Sequence, residues 1–188
     1  KYNLKYNKPK NLLSFVAKKL VNQKLIGWYQ GKMEFAHRAL GNRSILADPR
    51  NKKIKDLINL KIKRRESFRP FAPSVLSDLQ KDWFEEIYSN QYMSSVMKAK
   101  NEKKHLIPGV VHVDGTSRVQ TVLKKNNKNF YNLIHSFFLK TDVPLLLNTS
   151  FNENEPIVRS PGEAIECLLR TNMDALFMNN FLIKKLKN

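Results

Sequence analysis

The stretch VPLLLNTSFN, Val143–Asn152, decides how this chain folds. Its apolar run is short and continuous, which is typical of a strand that is buried on both faces of a sheet. The run then becomes polar at alternate positions, so Asn148, Ser150 and Asn152 share one face for as long as the strand lasts. Because open α/β sheets bind ligands at the carboxyl ends of their strands, this point is a predicted binding site.

Helical and extended patterns alternate around this strand. Helices are predicted at Leu12–Leu25 behind an Asn11 cap, at Lys52–Ile62, from a Ser77–Gln80 capping box through Trp83–Ile87, at Phe130–Leu139, and at Gly162–Arg170 behind a Ser160–Glu163 capping box. Strands are predicted at Leu25–Tyr29, Ile45–Pro49 and Phe71–Leu76, and at Val110–Val122 with a turn signal at Asp114-Gly115. A further strand or strand pair is predicted in DALFMNNFLI near the end of the chain.

The interleaved pattern predicts one α/β domain at residues 11–188, with a mixed parallel and antiparallel sheet flanked by helices. Residues 1–10 are polar and predict a linker or disordered arm, and residues 98–104 predict a charged loop. No apolar stretch approaches the roughly 20 residues that a membrane span needs. Cys167 is the single cysteine, so no internal disulfide can form and a cytoplasmic location is expected. Its AIECLLR context predicts a buried small hydrophobe.

The formal charge of +18 comes from 34 lysines and arginines against 16 acidic residues. A basic surface attracts nucleic acid, which gives one rival interpretation: a basic module that binds RNA or docks a partner domain and has no activity of its own. The lysines are spread over the whole chain, which is typical of a solvated surface. Nucleic acid is therefore not favoured as the main partner.

The arginines, in contrast, concentrate between Gly31 and Ser74, which holds six of the nine. Arginine grips phosphate or carboxylate at two points, so a cluster of arginines favours an anion site. The first group is HRALGNRS, where Arg38, Arg43 and Ser44 surround a turn at Gly41. Glycine lets backbone N–H groups approach an anion closely. An ordinary turn with exposed arginines is the alternative.

The second group is KRRESFRPFAPS, which begins at Lys63. If this segment is extended, a row of side chains shares one face and could hold a polyphosphate; its members are Lys63, Arg65, Ser67 and Arg69. The third group is HVDGTSRVQ, where His112, Asp114 and Arg118 could be polar members of one site around a turn. A structural histidine is the alternative there, because no spacing typical of metal ligands accompanies it and no metal site is predicted.

The chain has no nucleophile elbow, no Ser-His-Asp spacing and no P-loop, so covalent catalysis is not supported. An arginine-rich site suits chemistry by positioning and charge neutralisation, as in phosphoryl or nucleotidyl transfer.

Four segments together resemble one known family: GWYQGKMEFAHRALGNRSILADPR, KRRESFRPFAPSVL, HVDGTSRVQTV and LLLNTSFNENEPIV. In this order they are similar to the C-terminal domain of the carbamoyltransferase family, which includes nodulation-protein-type and antibiotic O-carbamoyltransferases. The resemblance implies a YrdC-like fold with a twisted mixed sheet. It also implies an enzyme domain that binds ATP, with Mg²⁺ on the phosphates, and carbamoyl phosphate, and makes carbamoyl-adenylate. An N-terminal domain of the full-length protein would pass the carbamoyl group to a hydroxyl acceptor.

The resemblance also implies roles for particular residues. The family's K-x-R segment corresponds to Lys63–Arg65 and its S-x-N segment to Ser150–Asn152, which gives Lys63, Arg65, Ser150 and Asn152 as expected catalytic residues. Substrate or nucleotide binding is expected of the remaining candidates, which are Arg38, Arg43, Ser44, Arg69, His112, Asp114, Arg118 and Asn148. The register of the first segment stays open, because Lys63, Arg64, Arg65 and Arg69 compete for two roles.

Overall fold

The computed structural model describes residues 4–34, 37–66 and 68–186. Within these ranges the strands are Leu4–Asn7 (β1), Ile26–Tyr29 (β2), Arg43–Ala47 (β3), Ala72–Leu76 (β4), Met97–Lys98 (β5), Thr116–Ser117 (β6), Gln120–Val122 (β7), Leu145–Ser150 (β8), Ala175–Met178 (β9) and Phe181–Lys185 (β10). The α-helices are Leu12–Val21 (α1), Ile54–Ile58 (α2), Asn101–Lys104 (α3), Lys128–Thr141 (α4) and Pro161–Arg170 (α5).

Eight strands form one sheet in the order β1-β10-β9-β2-β3-β8-β4-β7, and β5 pairs with β6 separately. The β2–β9 and β4–β7 pairs are parallel, and the other neighbours in the large sheet are antiparallel. β8 lies in the interior of this sheet, with its first four residues buried. The prediction of an α/β fold with a mixed sheet flanked by helices is therefore confirmed.

The helices cover the sheet with apolar stripes. α4 buries Phe130, Leu133, Ile134 and Phe137, a spacing that places four side chains on one helix face. It packs against α1 and against the sheet at β4 and β8, while α5 packs against β2 and β9. Cys167 lies buried in α5, as predicted, and burial raises the pKa of its thiol to about 12. No helix in the described ranges is long and apolar enough to cross a membrane.

Side-chain caps begin three of the helices. Asn11 accepts a hydrogen bond from the Ser14 N–H, Asn127 from the Phe130 N–H and Ser160 from the Glu163 N–H. The predicted Ser160 cap is confirmed. In a regular capping box the Glu163 carboxylate would accept from the N–H of Ser160, but here it accepts from the N–H of the preceding residue, Arg159.

The predicted helix behind Ser77 is wrong. Ser77–Asp82 forms a 3₁₀ turn without a side-chain cap, and the Ser77 hydroxyl donates to Asp78. The Gln80 side chain is buried and bonds to Thr121 and to the Tyr88 carbonyl, so it cannot close a capping box. The backbone of Glu85 then bonds to Lys98, which holds that segment beside β5.

Three further predictions about the elements need correction. The stretch predicted as a linker or arm contains β1, which pairs with β10 along four residues. The predicted charged loop at residues 98–104 contains the end of β5 and all of α3. Of the predicted strand Val110–Val122, only β6 and β7 are strands. The turn predicted at Asp114–Gly115 is present, and across it the His112 N–H donates to the Thr116 carbonyl.

Candidate active site

Lys63 lies at the centre of the candidate site. It ends a π-helical turn, Asn59–Lys63, that continues α2, and Arg64 then reverses the chain with a φ of 45°. Turns of this kind are frequent at functional sites. The prediction that Lys63, Arg65 and Arg69 form one extended row is therefore wrong, since Lys63 is helical and Arg69 follows a turn that begins at Glu66. Ser67, the fourth member of that row, lies outside the described residues.

The Lys63 ammonium joins the two segments that the sequence places 87 residues apart. Its Nζ donates to Ser150 at the carbonyl, 2.7 Å, and at Oγ, 3.2 Å. It also donates to Asn152 at the carbonyl, 2.8 Å, and at Oδ1, 2.6 Å. Three of the four expected catalytic residues are thus in direct contact at the end of β8.

The ammonium has little contact with water, because only 2% of the Lys63 surface is exposed. Burial lowers its pKa to about 7, and the nearby Arg65 guanidinium adds to the shift. Lys63 can therefore exchange its proton near neutral pH, and an anion bound beside it would restore the charge.

Arg65, the fourth expected catalytic residue, has no carboxylate within ion-pair distance among the described residues. Its guanidinium lies 4.6 Å from the centre of the Phe71 ring, and its Nε is buried without a hydrogen-bond partner in the part of the chain that the structure describes. Burial and the neighbouring Arg69 lower its pKa. Arg69 makes a long contact of 3.9 Å with Glu66, and both side chains are mostly exposed. Arg64 pairs with Glu153 at 3.2 Å.

A second pair of arginines comes from distant parts of the chain. Burial lowers the pKa of Arg38, and the positive charge of the nearby Arg118 lowers it further. Neither guanidinium has a carboxylate partner among the residues that the structure describes. Two like charges in proximity repel each other, so their placement favours an anion between them.

Arg43 and Ser44 lie inside the fold. The Arg43 guanidinium stacks 3.6 Å from the centre of the Tyr29 ring and donates to the carbonyls of Gln30 and Gly31. The Ser44 hydroxyl accepts from the Gly41 N–H at 3.1 Å. These contacts shape the loop that carries Arg38.

The turn at Gly41 binds the carboxylate of Glu34. One carboxylate oxygen of Glu34 accepts from the Leu40 N–H at 2.9 Å and from the Asn42 N–H at 2.6 Å. The backbone of this turn thus has the anion-binding shape that the glycine predicted. Gly41 itself has a φ of 111° and lies against the Phe130 ring.

A buried polar network holds this loop on the sheet. The Asn148 amide donates to the Ala39 carbonyl at 3.1 Å and to Ser74 Oγ at 2.9 Å. Gln120 bonds to Ser74 at 2.5 Å and donates to the Leu40 carbonyl at 2.8 Å. Ser74 and Gln120 were not predicted, and single polar residues in β-strand patterns give no local signal for such a role.

His112 and Asp114 form a turn beside Arg118. The Asp114 carboxylate accepts from the N–H and the hydroxyl of Thr116, and the same hydroxyl lies 3.1 Å from His112 Nδ1. Burial lowers the pKa of His112, which favours the neutral ring. Its Nε2 is buried and has no hydrogen-bond partner among the described residues.

β8 brings the loop that carries Arg38 and the segment that carries Lys63 next to each other. Asn148 holds the Arg38 loop and Ser150 binds Lys63, and these anchors are two residues apart on one strand face. Two residues of a strand span about 7 Å. The described parts of the chain contain no group of three or more His, Cys, Asp or Glu residues that could hold a metal ion. The arrangement can therefore bind an extended polyanion by cations and amides.

The Carbamoyltransferase C-terminus family model matches residues 17–185. Nodulation protein NolO of Bradyrhizobium diazoefficiens is 45% identical over 93% of this chain and 33% of its own length. Nodulation protein NolNO of Sinorhizobium fredii is 46% identical over 93% of this chain and 26% of its own length. The chain thus spans about a third or less of these relatives.

Solved structures of HypF share the fold at low sequence identity. Full-length HypF in a phosphate- and nucleotide-bound form has a TM-score of 0.57 at 18% identity, over 99% of this chain and 24% of that one. HypF of T. kodakarensis has a TM-score of 0.55 at 15% identity, over 98% of this chain and 23% of that one.

Proposed function

The chain belongs to the Carbamoyltransferase C-terminus family, and we propose that it is the carbamoyl-activating domain of a carbamoyltransferase. It would bind ATP and carbamoyl phosphate and form carbamoyl-adenylate. The observation that carries this proposal is the contact of the buried Lys63 ammonium with Ser150 and Asn152 at the end of β8. Catalytic roles are expected of these three residues from the family resemblance, which supports the proposal.

In the proposed reaction, carbamoyl phosphate loses its phosphate to water and leaves carbamate. A carbamate oxygen then attacks the α-phosphorus of ATP, and the bond to pyrophosphate breaks. The negative charge on the phosphates increases locally in this step, so fixed cations lower its barrier. Lys63, Arg65 and Arg69 would neutralise the triphosphate, and Ser150 and Asn152 would orient it.

Arg38 and Arg118 would hold the phosphate of carbamoyl phosphate. Their lack of carboxylate partners in the described part of the chain supports this assignment, and His112 and Asp114 on the neighbouring turn would position Arg118. Asn148, Arg43 and Ser44 would act indirectly, by fixing the loop that carries Arg38.

Mg²⁺ would arrive on the ATP phosphates, because the described residues offer no carboxylate cluster for it. The solved HypF structure of the same fold is a phosphate- and nucleotide-bound form, which agrees with this substrate class. The transfer of the carbamoyl group to a hydroxyl acceptor would belong to a separate domain, since this chain spans only a part of its relatives.

Calorimetry with a non-hydrolysable ATP analogue tests the proposal. The unmodified chain should bind the analogue, and Arg65→Ala and Ser150→Ala should each weaken binding by roughly tenfold or more, because charge-assisted hydrogen bonds are worth about 1.5–3 kcal/mol. Arg64→Ala is the matched control: it removes the same charge one residue away, where the guanidinium already pairs with Glu153. Its affinity should stay within about threefold of the unmodified chain.

Two results would contradict the proposal. One is the absence of nucleotide binding by the unmodified chain. The other is an equal loss of affinity in the Arg64 and Arg65 variants, which would indicate general charge attraction in place of a defined phosphate site.

A further inference from the structure

Gln120 on β7 connects the two segments that carry Arg38 and Arg118. This residue is only 5% exposed, and its Nε2 donates to the Leu40 carbonyl at 2.8 Å. Leu40 follows Arg38 by two residues, and Gln120 itself follows Arg118 by two residues. Two residues of chain span at most about 7 Å. One hydrogen bond therefore ties together the backbone beside each of the two arginines.

The oxygen of the same amide is anchored in the sheet. Gln120 Oε1 accepts from Ser74 Oγ at 2.5 Å and from Asn148 Nδ2 at 3.1 Å. Ser74 is the register partner of Gln120 in the parallel pair of β4 and β7, and Asn148 lies on β8, the strand beyond β4. Both ends of the amide are bonded, so the amide cannot rotate without breaking a buried hydrogen bond. Three strands of the sheet thus fix the position of the Leu40 carbonyl.

The two arginines need such a restraint, because their charges repel each other. Besides burial, the charge of Arg118 lowers the pKa of Arg38, which places the two guanidinium groups within electrostatic reach. No carboxylate of the described residues forms an ion pair with either of them. An ion pair would hold an arginine in place but would also cancel the charge that attracts an anion. A neutral amide resists the repulsion and leaves both charges available.

We propose that Gln120 is a positioning residue for the binding of carbamoyl phosphate, which sets the spacing of Arg38 and Arg118 without touching the substrate. This inference rests on the proposed function, in which these two arginines hold the phosphate of carbamoyl phosphate. Arginines that have moved apart cannot both reach one phosphate group. The loss of Gln120 should therefore affect carbamoyl phosphate and spare ATP, whose phosphates are assigned to the separate group around Lys63.

Calorimetry with phosphonoacetamide tests this inference. In this stable analogue a methylene group replaces the bridging oxygen of carbamoyl phosphate. Gln120→Met keeps the length of the side chain and removes its hydrogen bonds. It should weaken binding of phosphonoacetamide by roughly tenfold, the effect of losing one hydrogen bond to a charged group. Binding of the non-hydrolysable ATP analogue should stay within about threefold of the unmodified chain.

Gln80→Met is the matched control. Gln80 is a second buried glutamine, 3% exposed, and it bonds to Thr121, the neighbour of Gln120 on β7. Its Nε2 donates to the carbonyls of Glu86 and Tyr88 and not to the loop that carries the first arginine. The control should lose thermal stability to a similar extent and should bind phosphonoacetamide within about threefold of the unmodified chain.

A double-mutant cycle with Arg38→Ala distinguishes positioning from a general loss of stability. If Gln120 acts through Arg38, Gln120→Met should weaken phosphonoacetamide binding by no more than about twofold once Arg38 is absent. Circular dichroism establishes that each variant keeps its fold. Gln120→Asn shortens the amide so that it cannot reach Leu40, and it takes the place of Gln120→Met if that variant does not fold.

Unchanged binding of phosphonoacetamide in the Gln120 variant would overturn the inference and leave the proposed function intact. So would an equal loss in Gln80→Met, an equal loss of ATP-analogue binding, or losses that multiply in the cycle with Arg38→Ala. If the unmodified chain binds the ATP analogue but not phosphonoacetamide, the phosphate site at Arg38 and Arg118 is wrong, and the role of Gln120 is wrong with it.

Discussion

Lys63 is a buried cation whose charge depends on pH near neutrality. Its pKa in the fold is about 7 and its ordinary value is 10.5, so between these values the unfolded chain holds a proton that the folded chain has released. Raising the pH through this window therefore favours folding, and Lys63 destabilises the fold most at low pH.

The free energy of unfolding should accordingly increase between about pH 7 and about pH 9, by at most about 1.4 kcal/mol per pH unit from this one group. Lys63→Met keeps the apolar stem without the charge and should remove that part of the slope. Urea unfolding of both proteins at several pH values measures the difference, because all other titrating groups are common to the two. Parallel pH profiles would show that Lys63 keeps its proton throughout.

Residues of the candidate site were predictable where their residue type and the surrounding motif suggested a role. Lys63, Ser150 and Asn152 were assigned from the sequence, and the structure brings them into contact. Which cation of the KRRESFR segment takes the inner position was not predictable, because it depends on a π-helical turn and on the left-handed residue Arg64 that follows it. Such a turn follows from packing around the segment, and its residue types do not encode it.

At the scale of the elements, the loop that carries Arg38 depends on its contact with α4. Gly41 has a φ of 111°, and a Cβ there would lie 2.2 Å from a ring carbon of Phe130. Close packing of backbone against an aromatic ring fixes the distance between this loop and the helix. The loop therefore cannot move as a unit without disturbing the core.

Gly41→Ala should destabilise the fold by about 3 kcal/mol, since the new methyl group meets both backbone strain and a steric clash. Gly115→Ala is the matched control: its φ is 83°, but no atom of the described residues lies within 4 Å of the added carbon. That variant should lose only about 1 kcal/mol from strain. Chemical denaturation gives both values, and similar losses at the two positions would mean that the Phe130 contact is not tight.

The element boundaries that the sequence missed share one cause. β1 contains the polar run LKYN and forms a strand because β10 offers it a partner, not because of its composition. Ser77 and Gln80 have the spacing of a capping box, yet the Gln80 side chain forms hydrogen bonds with Tyr88 and Thr121, outside the turn. Elements whose pattern agrees with their packing, such as α4 and β8, were predicted correctly.

At the scale of the whole molecule, the charge of +18 opposes the compact state. Added salt screens such repulsion, so the melting temperature should rise between about 50 mM and about 500 mM sodium chloride. Differential scanning calorimetry measures this rise. A variant that carries Lys81→Glu, Lys125→Glu and Lys140→Glu at exposed positions should melt at a higher temperature than the unmodified chain in low salt and should respond less to added salt. A melting temperature that falls with salt would mean that attractive ion pairs dominate.

The pairing of β1 with β10 also brings the two ends of the described chain together. Leu4 lies directly opposite Lys185, and partners in an antiparallel pair are about 5 Å apart. Both strands lie at the edge of the sheet that is remote from β7. A linker of a few residues could therefore join the ends into a closed ring, and new ends could be opened in an exposed turn without rearranging the sheet.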